Sequence, residues 1–457
     1  MSAAVRKKAA TGSQPRARQT VIVGLGRTGL ACARYLSAHG ARVAITDSRA
    51  EPPELRNLGE LATHLELRLG GFDAKLLADA SQVVVSPGVS LAEPFVREAL
   101  ARGIEVVGDI ELFARAVRAP VLAVTGTNGK STVTTLVALM LEAAGRSVHA
   151  GGNLGEPALN LLARAVPDFY VLELSSFQLE TTESLALRAA TVLNVSADHL
   201  DRYAALGDYA AAKARIFRNC ETPIINLDDP LVAAMLPPDR QRLGFSIALD
   251  SAADFGLTRA ASGEVWLARS GKPRLALRDM KLSGLHNAAN ALAALAFVSA
   301  VDSDAAAAFE VLRTFTGLPH RMQWVADRRD VRWIDDSKGT NVGATIAAVR
   351  GMTGPVVLIA GGDGKGQDFV PLAAAFRGKV RHVVLIGRDA PQLAQALHGV
   401  CTTERATTMP DAVRRAAERS GPGDTVLLSP ACASFDMFRD YAERGDVFAA
   451  AVRELEP

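Results

Sequence analysis

At 457 residues the chain exceeds what one hydrophobic core supports, and two or three domains are expected. Hydrophobic residues make up 49% and charged residues 22%, the balance of a soluble globular protein, and no apolar run reaches the roughly 18 residues of a membrane span. The net charge of +2 resides in residues 1–19, which hold Arg6, Lys7, Lys8, Arg16 and Arg18 and no acid, so the body is slightly acidic and neither nucleic acid nor membrane is expected as a partner.

The basic stretch lacks the apolar segment of a signal peptide and reads as a disordered tail. The scattered Cys32, Cys220, Cys401 and Cys432 form no C-x-x-C pair, which suits reduced thiols and a cytoplasmic location. Order is expected from Thr20, with a strand through Val23 followed by Gly24-Leu25-Gly26-Arg27-Thr28-Gly29 and a helix. A second strand from Arg42 ends at Asp47. A G-x-G-x-x-G with an acid about twenty residues on is the dinucleotide fingerprint, though a weak one alone. Strand Val83-Val84-Val85 then runs into Ser86-Pro87-Gly88. Residues 20–112 therefore read as a Rossmann-like domain.

The chain turns on the next stretch, 120–141. Val121-Leu122-Ala123-Val124 is a buried strand, T-G-T-N-G-K-S-T a phosphate cradle, and the run from Ser131 a helix. Small glycines turn backbone N–H groups toward an anion, and the helix dipole adds to them. Lys130 would neutralise phosphate, and Ser131 or Thr132 could ligate Mg²⁺. The usual P-loop has a glycine where this chain has Val124; its first glycine is Gly126. Residues 113–317 are expected to form this central P-loop-type ATPase domain. Strands at 170–172 and 190–193 are apolar throughout, as a covered parallel sheet requires. Residues 245–280 are too mixed to place, and 286–301 read as an alanine-rich helix. From 318 to 457, strands at 332–334, 356–359, 382–386 and 425–428 predict a Rossmann-like C-terminal domain. The fold class is thus α/β, with three doubly wound domains.

The motifs T-G-T-N-G-K-S-T, G-G-N-L-G (151–155), E-L-S-S-F-Q-L (173–179), N-V-S-A-D-H-L-D-R-Y (194–203), H-N-A-A-N-A (286–291), P-H-R (319–321), D-D-S-K-G-T-N (335–341), G-G-D-G-K (361–365) and S-P-A-C-A-S-F-D (429–436) recur in the order found in one family. The chain resembles the ATP-dependent Mur ligases of peptidoglycan synthesis, from residue 20 to its end. Within the family it is most similar to the branch that adds D-glutamate to UDP-N-acetylmuramoyl-L-alanine.

The resemblance implies an acyl-phosphate mechanism and the following roles. Gly126, Thr127, Asn128, Gly129, Lys130, Ser131 and Thr132 would bind ATP with Asn287, Asn290, Arg321, Asp336 and Lys338. Arg321 and Asp336 would reach across as the third domain closes over the second. Ser131, Thr132, Glu173 and His199 would hold two Mg²⁺ ions. Lys213, which by pattern is a solvated lysine on an alanine-rich helix, would carry a CO₂-derived carbamate that also serves the metal. Lys130, Glu173, His199 and Lys213 are the catalytic set.

Arg27, Thr28, Asp47, Ser48, Arg49, Ser86 and Asn153 would bind the UDP substrate. Thr340, Lys365, Ser434 and the backbone of Phe435 would bind glutamate, although Lys365 by pattern is a surface lysine. Tyr441 stands where the family has phenylalanine, which keeps the aromatic body. A monomer is expected. An NAD-dependent dehydrogenase would leave the P-loop and the later domains unexplained, and a nucleotide switch would leave Lys365 and 429–436 unexplained. Folylpolyglutamate synthase lacks a comparable N-terminal domain, and the D-N-P-R motif of the diamino-acid-adding ligase is absent.

Overall fold

The computed structural model describes residues 19–153, 155–198, 202–282, 284–352 and 354–456. His199 and all but Gln19 of the expected tail lie outside them. The described residues fall into two compact units. One runs to Val117 and includes Pro157–Ala165 and Thr181–Leu185; the other comprises Arg118–Glu156, Val166–Glu180 and the chain from Ala186.

The first unit is built on β1 (Gln19–Val23), β2 (Arg42–Asp47), β3 (Glu66–Leu69), β4 (Ala80–Val85) and β5 (Glu105–Val107). Their order is β3-β2-β1-β4-β5, with parallel pairing throughout. The chain moves outward from β1 first on one side and then on the other, which is the doubly wound arrangement. β1 is buried along its whole length, as its uninterrupted apolar centre dictates.

The second unit holds two sheets. The larger comprises β6 (Val121–Thr125), β7 (Val148–Gly152), β8 (Phe169–Glu173), β9 (Leu187–Val192), β10 (Cys220–Asn226), β11 (Leu243–Leu249), β12 (Phe255–Arg259), β13 (Val265–Arg269) and β14 (Lys272–Ala276). The order is β14-β13-β12-β11-β10-β9-β6-β8-β7. β12, β13 and β14 pair antiparallel at one edge, which is where the mixed stretch 245–280 belongs. Helix Lys130–Ala143 buries Val133, Leu136, Val137, Met140 and Leu141, the stripe that three- and four-residue spacing puts on one face. Helix Leu285–Ala300 shares that core through Leu292 and Phe297.

The smaller sheet comprises β15 (Gln323–Arg328), β16 (Val331–Asp335), β17 (Val356–Gly361), β18 (Val380–Ile386), β19 (Thr402–Arg405) and β20 (Thr425–Leu428), in the order β15-β16-β20-β17-β18-β19. Only β15 is antiparallel to its neighbour. In register, Asp335 lies opposite Leu428, and Gly361 opposite Ile386. The loops that leave these strands therefore emerge at one end of the sheet.

Candidate active site

β6 is the switch point of the large sheet, because the chain runs to β7 and β8 on one side of it and to β9 and β10 on the other. Ligands of open α/β sheets bind at such points, beyond the carboxyl ends of the strands. Here the ends of β6, β8 and β9 deliver the glycine loop, Glu173 and Asn194, with Val124 opposite Glu173 and Thr125 opposite Val192.

Asn194 clasps the loop. Its side chain accepts from the Asn128 amide at 2.9 Å and donates to the Asn128 carbonyl at 3.1 Å, and its own carbonyl accepts from Thr127 N–H. Gly129, with φ +83°, opens helix Lys130–Ala143, and a Cβ there would stand 2.5 Å from Asn290 Oδ1. The left-handed backbone and this close approach both require glycine. Asn290 in turn donates to Asn287 at 3.3 Å. The helix 285–300 thus presents both asparagines to the phosphate loop.

Lys130 donates Nζ to the carbonyls of Gly126 at 3.0 Å and Thr127 at 2.9 Å. Its pKa is lowered, by burial first and by the positive charge of Arg321 against the opposing pull of Glu173 and Asp198. Ser131 donates its hydroxyl to Glu173 Oε2 at 2.6 Å and accepts from Arg321 Nη2 at 2.8 Å. Arg321 belongs to the segment that enters the small sheet, so it links the two sheets at the phosphate loop. A charge-assisted hydrogen bond of this kind contributes about 1.5–3 kcal/mol. Asn341 adds weaker links, to Asn128 at 3.4 Å and Asp198 at 3.3 Å.

Glu173 is buried, and its second oxygen accepts from Asn153 at 2.6 Å. Asn153, read from sequence as a contact of the UDP substrate, therefore sits on the carboxylate of the nucleotide site. Ser131, Thr132 and Glu173 offer only oxygen. Among the described residues no group of three or more His, Cys, Asp and Glu gathers as a metal site. Such a sparse all-oxygen set fits Mg²⁺, which keeps waters and takes phosphate oxygens rather than an all-protein cage.

Lys213 is 1% exposed, contrary to the solvated lysine its pattern suggests. Helix Leu206–Ala214 turns it inward, where Nζ donates to the Gly126 carbonyl at 2.9 Å and lies 4.3 Å over the Tyr209 ring. Burial, and then the nearby charge of Lys130, hold its pKa well below the usual lysine value.

A cavity of about 160 Å³ gathers Asn128, Gly129, Thr132, Asn287, Asn290, Arg321, Asp336 and Lys338. Sequence reasoning had named all of these. It missed Asn194, Asn226, Phe245, Leu282, His286 and Met322, which also line the cavity. The motif that contains Asn194 carried the signal; the apolar members carried none. Asp336 accepts from Ser429 at 2.7 Å and from Met322 N–H at 3.3 Å. Burial raises its pKa to about 7. Lys338 is lowered to about 8, chiefly by burial and then by Arg321, and its Nζ lies 3.8 Å over the Tyr441 ring. The aromatic body at 441 is thus in use as a cation–π partner.

The loops of the small sheet are laced together. Gly361 N–H donates to the Pro430 carbonyl, Asp363 and Ala433 exchange backbone hydrogen bonds, and Ala431 N–H donates to the Gly339 carbonyl. Thr340, Lys365, Ser434 and Phe435 come from these three loops. Ser434 is buried, whereas the Phe435 side chain is 69% exposed.

In the first unit, Arg27 opens helix Arg27–Ala38, and Ser86 donates to the Gly24 carbonyl at 2.9 Å. Asp47 is buried and accepts from Leu25 N–H at 2.7 Å and from both Nε and Nη2 of Arg49. Burial raises its pKa, but the hydrogen bonds from Arg49 and two backbone amides outweigh it and leave the carboxyl below its ordinary value. Asp47 thus organises its own loop. Thr28 is partly buried and Ser48 exposed at the same strand ends.

Three family descriptions cover most of the chain: Mur ligase MurD-like, N-terminal domain, at residues 18–108; Mur ligase middle domain at 124–298; and Mur ligase, glutamate ligase domain, at 320–432. The chain is 53% identical over 445 residues to a protein of Nitrosococcus oceani named UDP-N-acetylmuramoylalanine--D-glutamate ligase, covering 97% of this chain and 98% of that one. A protein of the same name from Methylococcus capsulatus is 52% identical over 437 residues, covering 96% and 95%. Among solved structures, the UDP-N-acetylmuramate-alanine ligase MurC of Thermotoga maritima shares the fold with TM-score 0.61 and 20% identity, over 95% of this chain and 99% of that one. A pseudomurein peptide ligase type C from Methanothermus fervidus gives TM-score 0.59 and 19% identity, over 90% and 96%.

Proposed function

The chain belongs to the Mur ligases, and from that premise we propose that it joins D-glutamate to UDP-N-acetylmuramoyl-L-alanine at the expense of ATP. The observation that carries the reading is the juxtaposition of the glycine loop, Glu173, Arg321, Asp336 and Lys338 around one cavity, in a chain whose curated relatives bear that name.

A carboxylate does not react with an amine at useful rates. ATP converts the alanyl carboxylate into an acyl phosphate, the glutamate amine attacks the acyl carbon, and phosphate leaves as the amide forms. Lys130, Arg321 and the loop amides stabilise charge on the transferring phosphoryl group. Asn287 and Asn290 orient the nucleotide, and Asp336 and Lys338 approach it from the small sheet. Mg²⁺, when bound, neutralises phosphate charge; Ser131, Thr132, Glu173 and His199 are assigned to hold two such ions. Lys213 is assigned the carbamate, because CO₂ reacts only with the neutral amine and this lysine is held well below its ordinary pKa. The new N–C bond forms as one amine proton is released, and a buried neutral amine becomes an anion beneath the phosphate loop.

The domain roles follow. Residues 20–112 take the UDP substrate through Arg27, Thr28, Asp47, Ser48, Arg49 and Ser86, with Asn153 placed toward the muramoyl portion. Residues 113–317 take ATP. Residues 318–457 take glutamate through Thr340, Lys365, Ser434 and the Phe435 backbone. Among the described residues no helix is long and apolar enough to cross a membrane, and we assign the chain to the cytoplasm, where its nucleotide substrates are made, as a monomer.

The test uses substrate whose alanyl carboxylate carries heavy oxygen. The expected result is heavy oxygen in the released phosphate and a product heavier by one glutamyl residue. Unlabelled phosphate would rule out the acyl phosphate.

A further inference from the structure

Helix Tyr441–Arg453 contributes a cation that the site described above does not use. Arg444 is 0% exposed. Its Nε donates to Ser337 Oγ at 2.9 Å, its Nη2 to the Ser337 carbonyl at 2.8 Å and its Nη1 to the Cys432 carbonyl at 3.1 Å. The Ser337 hydroxyl in turn donates to the Tyr441 carbonyl at 2.7 Å, which closes the circuit back to the helix. Next along, Gly445 packs on a second pair. A Cβ there would stand 2.2 Å from His320 Nδ1 and 2.6 Å from Asp335 Oδ2, two atoms that are themselves 2.7 Å apart.

All three acceptors of Arg444 are uncharged. A buried cation is a costly way to fill space, and an apolar side chain of similar volume is often as stabilising. What the guanidinium does that an apolar side chain cannot is bind two loops in fixed register. Ser337 lies between Asp336 and Lys338. Cys432 lies two residues before Ser434. The planar fork spans both at once, which a single ammonium does not.

We propose that Arg444 is a positioning residue that sets the separation between the nucleotide-facing loop at 336–338 and the amino-acid-facing loop at 432–435, acting through Ser337 and the Cys432 carbonyl. This rests on the assignment of the second loop to glutamate. Attack of an amine on an acyl phosphate needs the reacting atoms roughly 3–3.5 Å apart, and a displacement of about 1 Å costs about a hundredfold. Arg444 touches neither substrate; it holds the two groups of contacts at the distance the attack requires.

The test compares the full-length chain with Arg444→Met, Arg444→Lys and Ser337→Ala, varying D-glutamate and ATP separately and recording melting temperatures. Arg444→Met is expected to raise KM for D-glutamate and lower kcat, each about tenfold or more. Nucleotide affinity, set largely by the large sheet, should move far less. Arg444→Lys should recover part of the loss, and Ser337→Ala, which removes one acceptor without burying a new group, should raise KM for D-glutamate severalfold even if the methionine variant folds poorly. An unchanged KM in Ser337→Ala and in whichever arginine variants fold, with losses that only track melting temperature, would overturn the proposal. The unsubstituted chain reports on the glutamate assignment separately, since absence of D-glutamate-dependent turnover there would remove both.

Discussion

Lys213 is the residue at which pattern and environment disagree most. On an alanine-rich helix with Asp208 and Arg215 nearby, a lysine reads as a solvated side chain. The structure instead turns it under the phosphate loop, onto the Gly126 carbonyl and the Tyr209 ring. Short-range periodicity did not mark the position, because alanines leave every face of a helix nearly equivalent; only the resemblance singled it out. Lys130, by contrast, was legible because it sits in a short glycine-rich motif whose residue types already imply phosphate chemistry, whereas Glu173 and Arg321 drew their roles from the order of motifs shared with the family. The carbamate assignment predicts that Lys213→Ala loses activity by about ten- to a hundredfold, on the order expected when a group that supports a metal site is removed, and that short carboxylates such as acetate or formate restore part of it. Full activity of the variant without added carboxylate would contradict the assignment, and the measurement is ligation rate against carboxylate concentration.

At the scale of elements, the strands that carry the site announced themselves as continuous apolar runs, and the glycine turns after them followed. Other elements did not. β10 contains Glu221, Thr222 and Pro223, and proline argues against an internal strand. It is tolerated because Pro223 pairs only with Ala190 of β9, while pairing with β11 starts at Ile224. The antiparallel flap β12–β14 was unreadable because its strands alternate short polar and apolar stretches at a partly exposed edge. Gly129 is the hinge between strand and helix that the site depends on. Gly129→Ala must adopt φ near +83° and press a Cβ on Asn290, so it should lose about 1–2 kcal/mol of stability from the backbone and nucleotide affinity by about tenfold or more. Gly145→Ala, at φ +77° with nothing within 4 Å of its Cβ, is the control: it should share the stability loss and keep nucleotide affinity. Thermal melting and nucleotide titration separate the two, and equal effects on affinity would contradict the role given to the Asn290 contact.

For the whole molecule, the α/β class and three nucleotide-type sheets were legible from length, strand count and turn chemistry. How the chain groups them was not. The two later sheets fall in one compact unit, and two short segments from the middle of the chain, Pro157–Ala165 and Thr181–Leu185, belong to the first unit. Such grouping depends on contacts far apart in sequence, such as Arg321 on Ser131, which no local pattern encodes. The same long-range contact brings the loops of the small sheet, proposed above to take glutamate, onto the body that holds the phosphate loop, as amide formation by way of an acyl phosphate requires. The most direct test of that account is phosphate release from ATP in the presence of UDP-N-acetylmuramoyl-L-alanine, with D-glutamate, with L-glutamate and with no amino acid. The account predicts sustained release with D-glutamate alone; release that ignores the amino acid, or that prefers the L-isomer, would contradict it.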